Sequence, residues 1–190
     1  MIKKLDKKTK KDFLHYFDFD AFCDHPEWSY CYCTFFHFTK EEIDNNINGS
    51  TKKGVRKCAS ELIDDGLLQG YLAYDDTKVV GWVNTNLRSA YPRIPQHYKI
   101  KKKDDTIVSV VCFLTHPDYR HRGVAAALLQ HVVENAKESG ARLVQGYPNR
   151  MAQDQYDQYP GPLNMYLRHD FKVTREEKNF WVVERDLTAE

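Results

Sequence analysis

Several things are scarce in this 190-residue chain, and each scarcity removes a class of function. No apolar run approaches the length needed to span a membrane. Neither sign of charge dominates: 28 Lys and Arg face 27 Asp and Glu, for a formal net charge of +1. A dedicated nucleic-acid binder would be strongly basic, so that class is set aside. Lysines cluster at positions 3, 4, 7, 8, 10 and 11, but the apolar segment of a secretory signal does not follow them. The expectation there is a solvated or frayed end. Five cysteines cannot all pair with one another, and without an export signal they read as reduced thiols of a cytoplasmic protein. Internal repeats and low-complexity stretches are absent as well. The length suits one domain over residues 1–190, and 42% hydrophobic content supplies a core beside a soluble surface.

The most informative stretch runs from Thr106 to Gly140. Ile107 to Leu114 is a nearly unbroken, Val-rich apolar run, as in a strand buried on both faces. His116-Pro117-Asp118 ends it, because proline cannot donate to a ladder. From Val124 the spacing turns helical, with Val124, Leu128, Val132 and Ala136 on one face, until Gly140 stops the helix. Between strand and helix lies Arg120-His121-Arg122-Gly123-Val124-Ala125. A helix start leaves backbone N–H groups without partners and concentrates positive dipole. Small residues at Gly123 and Ala125 leave room for an anion such as pyrophosphate, and Arg120 and Arg122 add charge.

These residues resemble the acetyl-CoA-binding core of the GNAT acetyltransferase superfamily. Its signature is Arg/Gln-x-x-Gly-x-Gly/Ala, preceded by a strand and Pro-x-Tyr. Here it reads Pro117-Asp118-Tyr119-Arg120-His121-Arg122-Gly123-Val124-Ala125. Gly81-Trp82-Val83 fits the Val-Gly-aromatic strand that precedes the cofactor strand in that family. Met165-Tyr166-Leu167-Arg168-His169-Asp170-Phe171 is similar to the second signature, Leu-Tyr-x-x-x-Gly-Phe, with Met165 and Asp170 as departures. The resemblance covers roughly residues 67–187, with 1–66 as a substrate-side segment.

It implies an α/β (α+β) acyl-CoA N-acyltransferase fold, a central mixed sheet flanked by helices. It also implies an enzyme that passes the acetyl group of acetyl-CoA directly to a primary amine. Backbone groups of Phe113, Leu114 and Thr115 would run along pantetheine. Arg120, His121, Arg122, Gly123, Val124, Ala125 and Ala126 would hold the pyrophosphate. Gly146 would sit where two strands splay to admit the pantetheine arm, and Tyr166 would protonate the leaving thiolate. The family's cofactor-contacting Asn, seven residues before that Tyr, is Tyr159 here, so that contact does not carry over.

The remaining chain reads as follows. Phe13, Leu14 and Phe17 suggest a short helix. Residues 22–38 are dense in aromatics and thiols. Cys31 and Cys33 would share one face of a strand. The spacing lacks the paired units of a structural zinc site, so no metal is expected. The sharper expectation is an acceptor wall that includes Trp28, Cys31 and Cys33. Ser50 or Thr51 caps a helix ending near Asp65, followed by a hairpin over residues 69–87. The 88–105 connection reads as a long loop whose Arg88, Tyr91, Arg93, His97 and Tyr98 either meet the acceptor or lie on the surface.

The expected order is β, α, α, β, β, β, α, β, α, β, β. The general base is unassigned among Glu27, His37, His97 and Asp154, with ordered water as the alternative. The favoured acceptor is a small-molecule amine. A peptide or protein amine is the alternative, and neither nucleic acid nor membrane is an expected partner. A homodimer is compatible with the sequence. Two rival readings are a non-catalytic acetyl-CoA sensor and a zinc-binding interaction module built on residues 23–37.

Overall fold

Alternation along the strands divides the core. Leu72, Tyr74 and Trp82 pack to one side, while Ala73, Val83 and Val110 pack to the other. The computed structural model, which describes residues 1–45, 51–100, 104–153 and 158–188, shows how this period of two is used. Seven strands form one sheet: β1 (Ile2–Lys4), β2 (Gly70–Asp75), β3 (Lys78–Leu87), β4 (Ile107–Thr115), β5 (Leu143–Gly146), β6 (Lys172–Glu176) and β7 (Trp181–Asp186). Their spatial order is β1-β2-β3-β4-β5-β7-β6. Only β4 and β5 pair parallel, and the other five pairings are antiparallel.

Two helical layers cover the sheet. On one side lie α1 (Lys10–His15), continued by a π-helical turn over Tyr16–Asp20, and α3 (Lys52–Asp64); α2 (Lys40–Asn45) lies between them in sequence. Phe13, Phe17, Ala59 and Ile63 from this layer pack with Trp82. Full burial of each large apolar side chain contributes roughly 1.5–3 kcal/mol. The Tyr16 hydroxyl donates to the Leu114 carbonyl at 3.2 Å, which ties the N-terminal layer to the end of β4. On the other side α5 (Val124–Glu138) crosses β2 to β5, burying Leu128, Leu129, Val132, Val133 and Ala136. Its first residue approaches β3 closely. A Cβ on Gly81 would stand 2.5 Å from Val124 Cγ1, so this position has no room for a side chain.

Three sequence expectations change. The lysine-rich start is not frayed: Ile2–Lys4 pairs with β2 as an edge strand, and Lys10 meets Asp64 at 2.6 Å. Lysines suit such an edge because they discourage further strand pairing. Residues 31–33 are not in a strand. Short 3-10 turns at Pro26–Trp28 and Phe35–His37 flank them, and Cys33 has φ 54°. Cys31 and Cys33 therefore do not alternate across a pleat. The 88–105 connection is packed in its described part. It forms a 3-10 turn at Arg88–Ala90 and α4 (Ile94–His97). Tyr91, Ile94 and Tyr98 are buried with Val111 and Tyr147.

The α3 start follows the sequence closely. Thr51 is extended, and its hydroxyl accepts from the Gly54 N–H at 3.0 Å. A short α6 (Leu163–Leu167) precedes the last hairpin.

Candidate active site

The parallel pair diverges after a short overlap. β5 pairs with β4 only from Ile107↔Leu143 to Val110↔Gly146, yet β4 continues to Thr115. The His116 N–H reaches back to Val80 on β3 at 2.9 Å. Alternation then aims the Phe113 N–H away from β3, along the edge that β5 has left. That N–H donates to the Tyr159 carbonyl at 2.6 Å.

Gly146 marks the point of divergence. A Cβ there would lie 2.5 Å from Cε1 and Cζ of Tyr166, so the Tyr166 ring takes the space a side chain would fill. Tyr166 is fully buried, and its hydroxyl donates to the Pro160 carbonyl at 2.7 Å. Burial pushes this phenol well above its ordinary pKa. Tyr159 and Pro160 thus supply the acceptors for both the Phe113 N–H and the Tyr166 O–H. Tyr166 itself does not line the adjoining cavity.

At the end of β4, a 3-10 turn at Pro117–Tyr119 leads into the loop before α5. His121 (φ 60°) and Gly123 (φ 81°) are both left-handed. Gly123 is the N-cap and brings no side chain to the N–H groups of the first turn. The Ala127 N–H, bound to the Gly123 carbonyl at 2.9 Å, closes the first intrahelical bond. The N–H groups of Val124, Ala125 and Ala126 precede it and have no intrahelical acceptor. Space is open above Gly123, where nothing lies within 4 Å of a would-be Cβ. Arg120 is held by Asp24 at 2.5 Å, joining this loop to the N-terminal segment. The Arg122 guanidinium sits 5.3 Å from the Tyr119 ring centroid and does not line the cavity.

A cavity of about 980 Å³ connects these parts. Phe113, Leu114, Thr115, Arg120, His121, Gly123, Val124, Ala125 and Ala126 line one region of it, and Trp28, Cys31 and Cys33 belong to the same wall. The Cys33 thiol donates to the Cys112 sulfur at 3.3 Å. The hydrogen bond to Cys112 and then burial push Cys33 up, and the bond with Cys33 followed by burial pushes Cys31 up, so both are protonated thiols. All five cysteines are free. No group of three or more His, Cys, Asp or Glu able to hold a metal occurs among the described residues.

Tyr91 stands behind the wall. Its hydroxyl donates to Asn84 Oδ1 at 2.8 Å, and Asn84 Nδ2 donates to the Cys33 carbonyl at 2.9 Å. Asn84 itself lines the cavity and was missed by sequence reasoning. Its signal is a polar residue inside an otherwise apolar strand. Arg168, His169 and Tyr159 also reach the wall, from segments read only for their signature.

The described base candidates do not line the cavity. Glu27 is exposed and paired with His25 at 2.7 Å. His37 is buried against Asn84, and desolvation pulls its pKa down to about 4. His97 lies edge-on to Phe35 and Phe36, also depressed by burial. Asp154 lies outside the described residues.

The fold has counterparts among known proteins. An N-acetyltransferase from Staphylococcus aureus Mu50 superposes with a TM-score of 0.56 at 14% identity, covering 98% of each chain. The paia N-acetyltransferase from Thermoplasma acidophilum, solved in complex with coenzyme A, gives 0.53 at 14% identity, again over 98% of each. A ribosomal-protein-alanine N-acetyltransferase from Brucella melitensis gives 0.54 at 9% identity, over 98% of this chain and 99% of that one. At such identities the likeness is one of fold. No curated protein sequence matches the chain. The family model described as "Acetyltransferase (GNAT) family" matches residues 39–159, well over half of the sequence. With the mixed sheet, the β4–β5 divergence and the open helix start already in place, this chain belongs to the GNAT acetyltransferase family.

Proposed function

We propose that the protein transfers the acetyl group of acetyl-CoA directly to the nitrogen of a small-molecule amine. The observation that carries this reading is the continuity of one cavity. It joins the α5 start and the free edge of β4 to an aromatic, thiol-rich wall. The residues fit acetyl-CoA. Open space above Gly123 and the unpartnered N–H groups of the first α5 turn suit a pyrophosphate. The edge of β4 suits the amides of a pantetheine arm.

Acetyl-CoA supplies an activated thioester. The chain has to orient it, stabilise charge on its oxygen and return a proton to the departing thiolate. The Phe113 N–H is suited to the oxygen, because it lies on the diverging edge. Tyr166 is the proposed proton donor, since its buried phenol stays protonated across the physiological range. Both groups already bind carbonyl oxygens of residues 159 and 160, so each is oriented toward an acceptor atom. Five free cysteines support a reducing compartment such as the cytoplasm. No helix among the described residues is long and apolar enough to cross a membrane.

A non-catalytic acetyl-CoA sensor is the second reading. It is favoured by the engagement of both reactive groups with the chain itself. Calorimetric titration with acetyl-CoA, followed by chromatographic detection of free CoA over an amine panel, separates the two. Binding with amine-dependent release of CoA supports the transferase, whereas binding without release from any amine supports the sensor.

A further inference from the structure

We infer that the acceptor is an arylamine, with its nitrogen bonded directly to an aromatic ring and neutral at physiological pH. This inference rests on the acetyl-transfer reading above and narrows its substrate class.

The first observation is the wall itself. Trp28, Tyr30, Phe35 and Phe38 line the cavity with accessible rings for a flat apolar ligand, backed by the buried rings of Tyr32 and Phe36. The second is its charge. Among the described residues the wall includes Arg120 and Arg168 but no Asp or Glu. The nearby acids are committed elsewhere. Asp24 is bound to Arg120, Asp18 to Arg56 and the Tyr32 hydroxyl, and Glu27 to His25. An alkylammonium ion would give up its hydration beside two guanidinium groups, with no described carboxylate to replace the water. Aromatic faces can hold a cation, but the Phe35 ring is already taken, with the Arg93 guanidinium 4.2 Å from its centroid.

The third observation is the position of the bases. Glu27, His37 and His97 do not reach the wall; of the histidines that do, His121 lies in the loop before α5 and His169 Nδ1 meets the Met165 carbonyl at 2.8 Å. An alkylammonium must lose a proton before it has a lone pair to react with. An arylamine has that lone pair on arrival, so the reaction needs no protein base to start. The arylamine nitrogen forms a bond to the carbonyl carbon and the carbon–sulfur bond breaks. Once the Pro160 carbonyl gives up the Tyr166 hydroxyl, the thiolate takes the Tyr166 proton; the proton shed by nitrogen leaves to solvent, and the phenol is restored from it. The products are an aryl acetamide and free CoA.

The test uses two isomers, 4-ethylaniline and phenethylamine, which differ only in whether nitrogen sits on the ring or on the chain. The full-length protein is first titrated with acetyl-CoA by calorimetry, and then acetylated product and CoA are quantified by chromatography. The expected result is binding, with kcat/KM for 4-ethylaniline at least about tenfold above phenethylamine at neutral pH. A second variant tests the charge argument separately. Thr34 lines the cavity, and Thr34→Asp should shift the preference toward phenethylamine. If acetyl-CoA binds and phenethylamine is preferred, or neither isomer is acetylated, the arylamine assignment is overturned and cofactor binding stands. If acetyl-CoA does not bind, the acetyl-transfer reading fails and takes this inference with it.

Discussion

Replacing Tyr166 by Phe separates its two roles, because the structure sets an expectation for each. The phenol is fully buried and donates to the Pro160 carbonyl at 2.7 Å. Phe keeps the ring that packs on Gly146, Phe113 and Phe171 and removes only the O–H. A buried carbonyl short of its donor costs about 1–3 kcal/mol. For a chain of this size that lowers Tm by about 2–12 °C. The catalytic consequence is larger. If Tyr166 returns the proton to the thiolate, kcat should fall about 100- to 10,000-fold while acetyl-CoA affinity is not weakened. Thermal unfolding, calorimetry and single-turnover kinetics on one preparation measure all three quantities. A variant that melts lower but turns over within twofold of the parent would remove Tyr166 from the chemistry and leave it as a packing residue. An alkaline fall in kcat near the ordinary phenol range would also count against the assignment, because burial raises this group well above that range.

Gly146→Ala should destabilise by about 1–3 kcal/mol in urea unfolding, since its methyl would meet the immobile Tyr166 ring at 2.5 Å. At Gly123, φ is 81° with open space above, so Gly123→Ala should cost about 1–2 kcal/mol of stability and keep acetyl-CoA binding. Gly123→Asp should fold comparably, because Asp tolerates the left-handed region, yet lose calorimetric binding through repulsion of the phosphates. His37 gives a pH signature. Its folded pKa is about 4 against 6.5 for the free side chain, so the unfolded chain binds more protons between these values. Its contribution is complete above about pH 6.5 and is lost as pH falls toward 4, a change of about 3 kcal/mol. Urea midpoints should fall less steeply over that interval in His37→Gln than in the parent.

The parts legible in the sequence are those governed by local period and local caps. The β4 run, the α5 stripe and the Thr51 cap each depend on neighbours a few residues away, and each forms where the pattern places it. What was not legible depends on distant partners. Ile2–Lys4 becomes a strand only because β2 offers an edge 67 to 71 residues later. The 88–105 stretch reads as a loop by its prolines, yet Tyr91, Ile94 and Tyr98 recur at near-helical spacing and are buried. Asn84 acquires its role from Cys33 and Tyr91, neither of which its own strand foretells. The aromatic segment announced a wall but not its backbone, since the left-handed turn at Cys33 has no glycine to mark it.

The contact between Phe113 and Tyr159, 46 residues apart, has a consequence for cofactor binding. A thioester oxygen that uses the free edge of β4 must take the Phe113 N–H now held by the Tyr159 carbonyl. Residues 158–161 then have to yield, and the free energy of releasing them is subtracted from the affinity. Gly161 lets this be measured. It has φ 88°, and a Cβ there would lie 2.8 Å from Met165 Cε, 3.0 Å from Tyr166 Cε2 and 3.1 Å from Phe113 Cε2. Gly161→Ala therefore strains the seated segment by about 1–2 kcal/mol, from the left-handed backbone before any crowding. If the segment leaves when the cofactor binds, that strain is relieved in the complex, and the Kd for acetyl-CoA should tighten about 5- to 30-fold. Structural damage alone predicts the opposite sign. If the segment stays seated, the same methyl crowds Phe113 and Tyr166 in both states, and Kd should be unchanged or weaker. A tighter Kd in a less stable protein is the outcome that only displacement produces, and its absence would mean that the cofactor reaches the α5 start without using the Phe113 N–H.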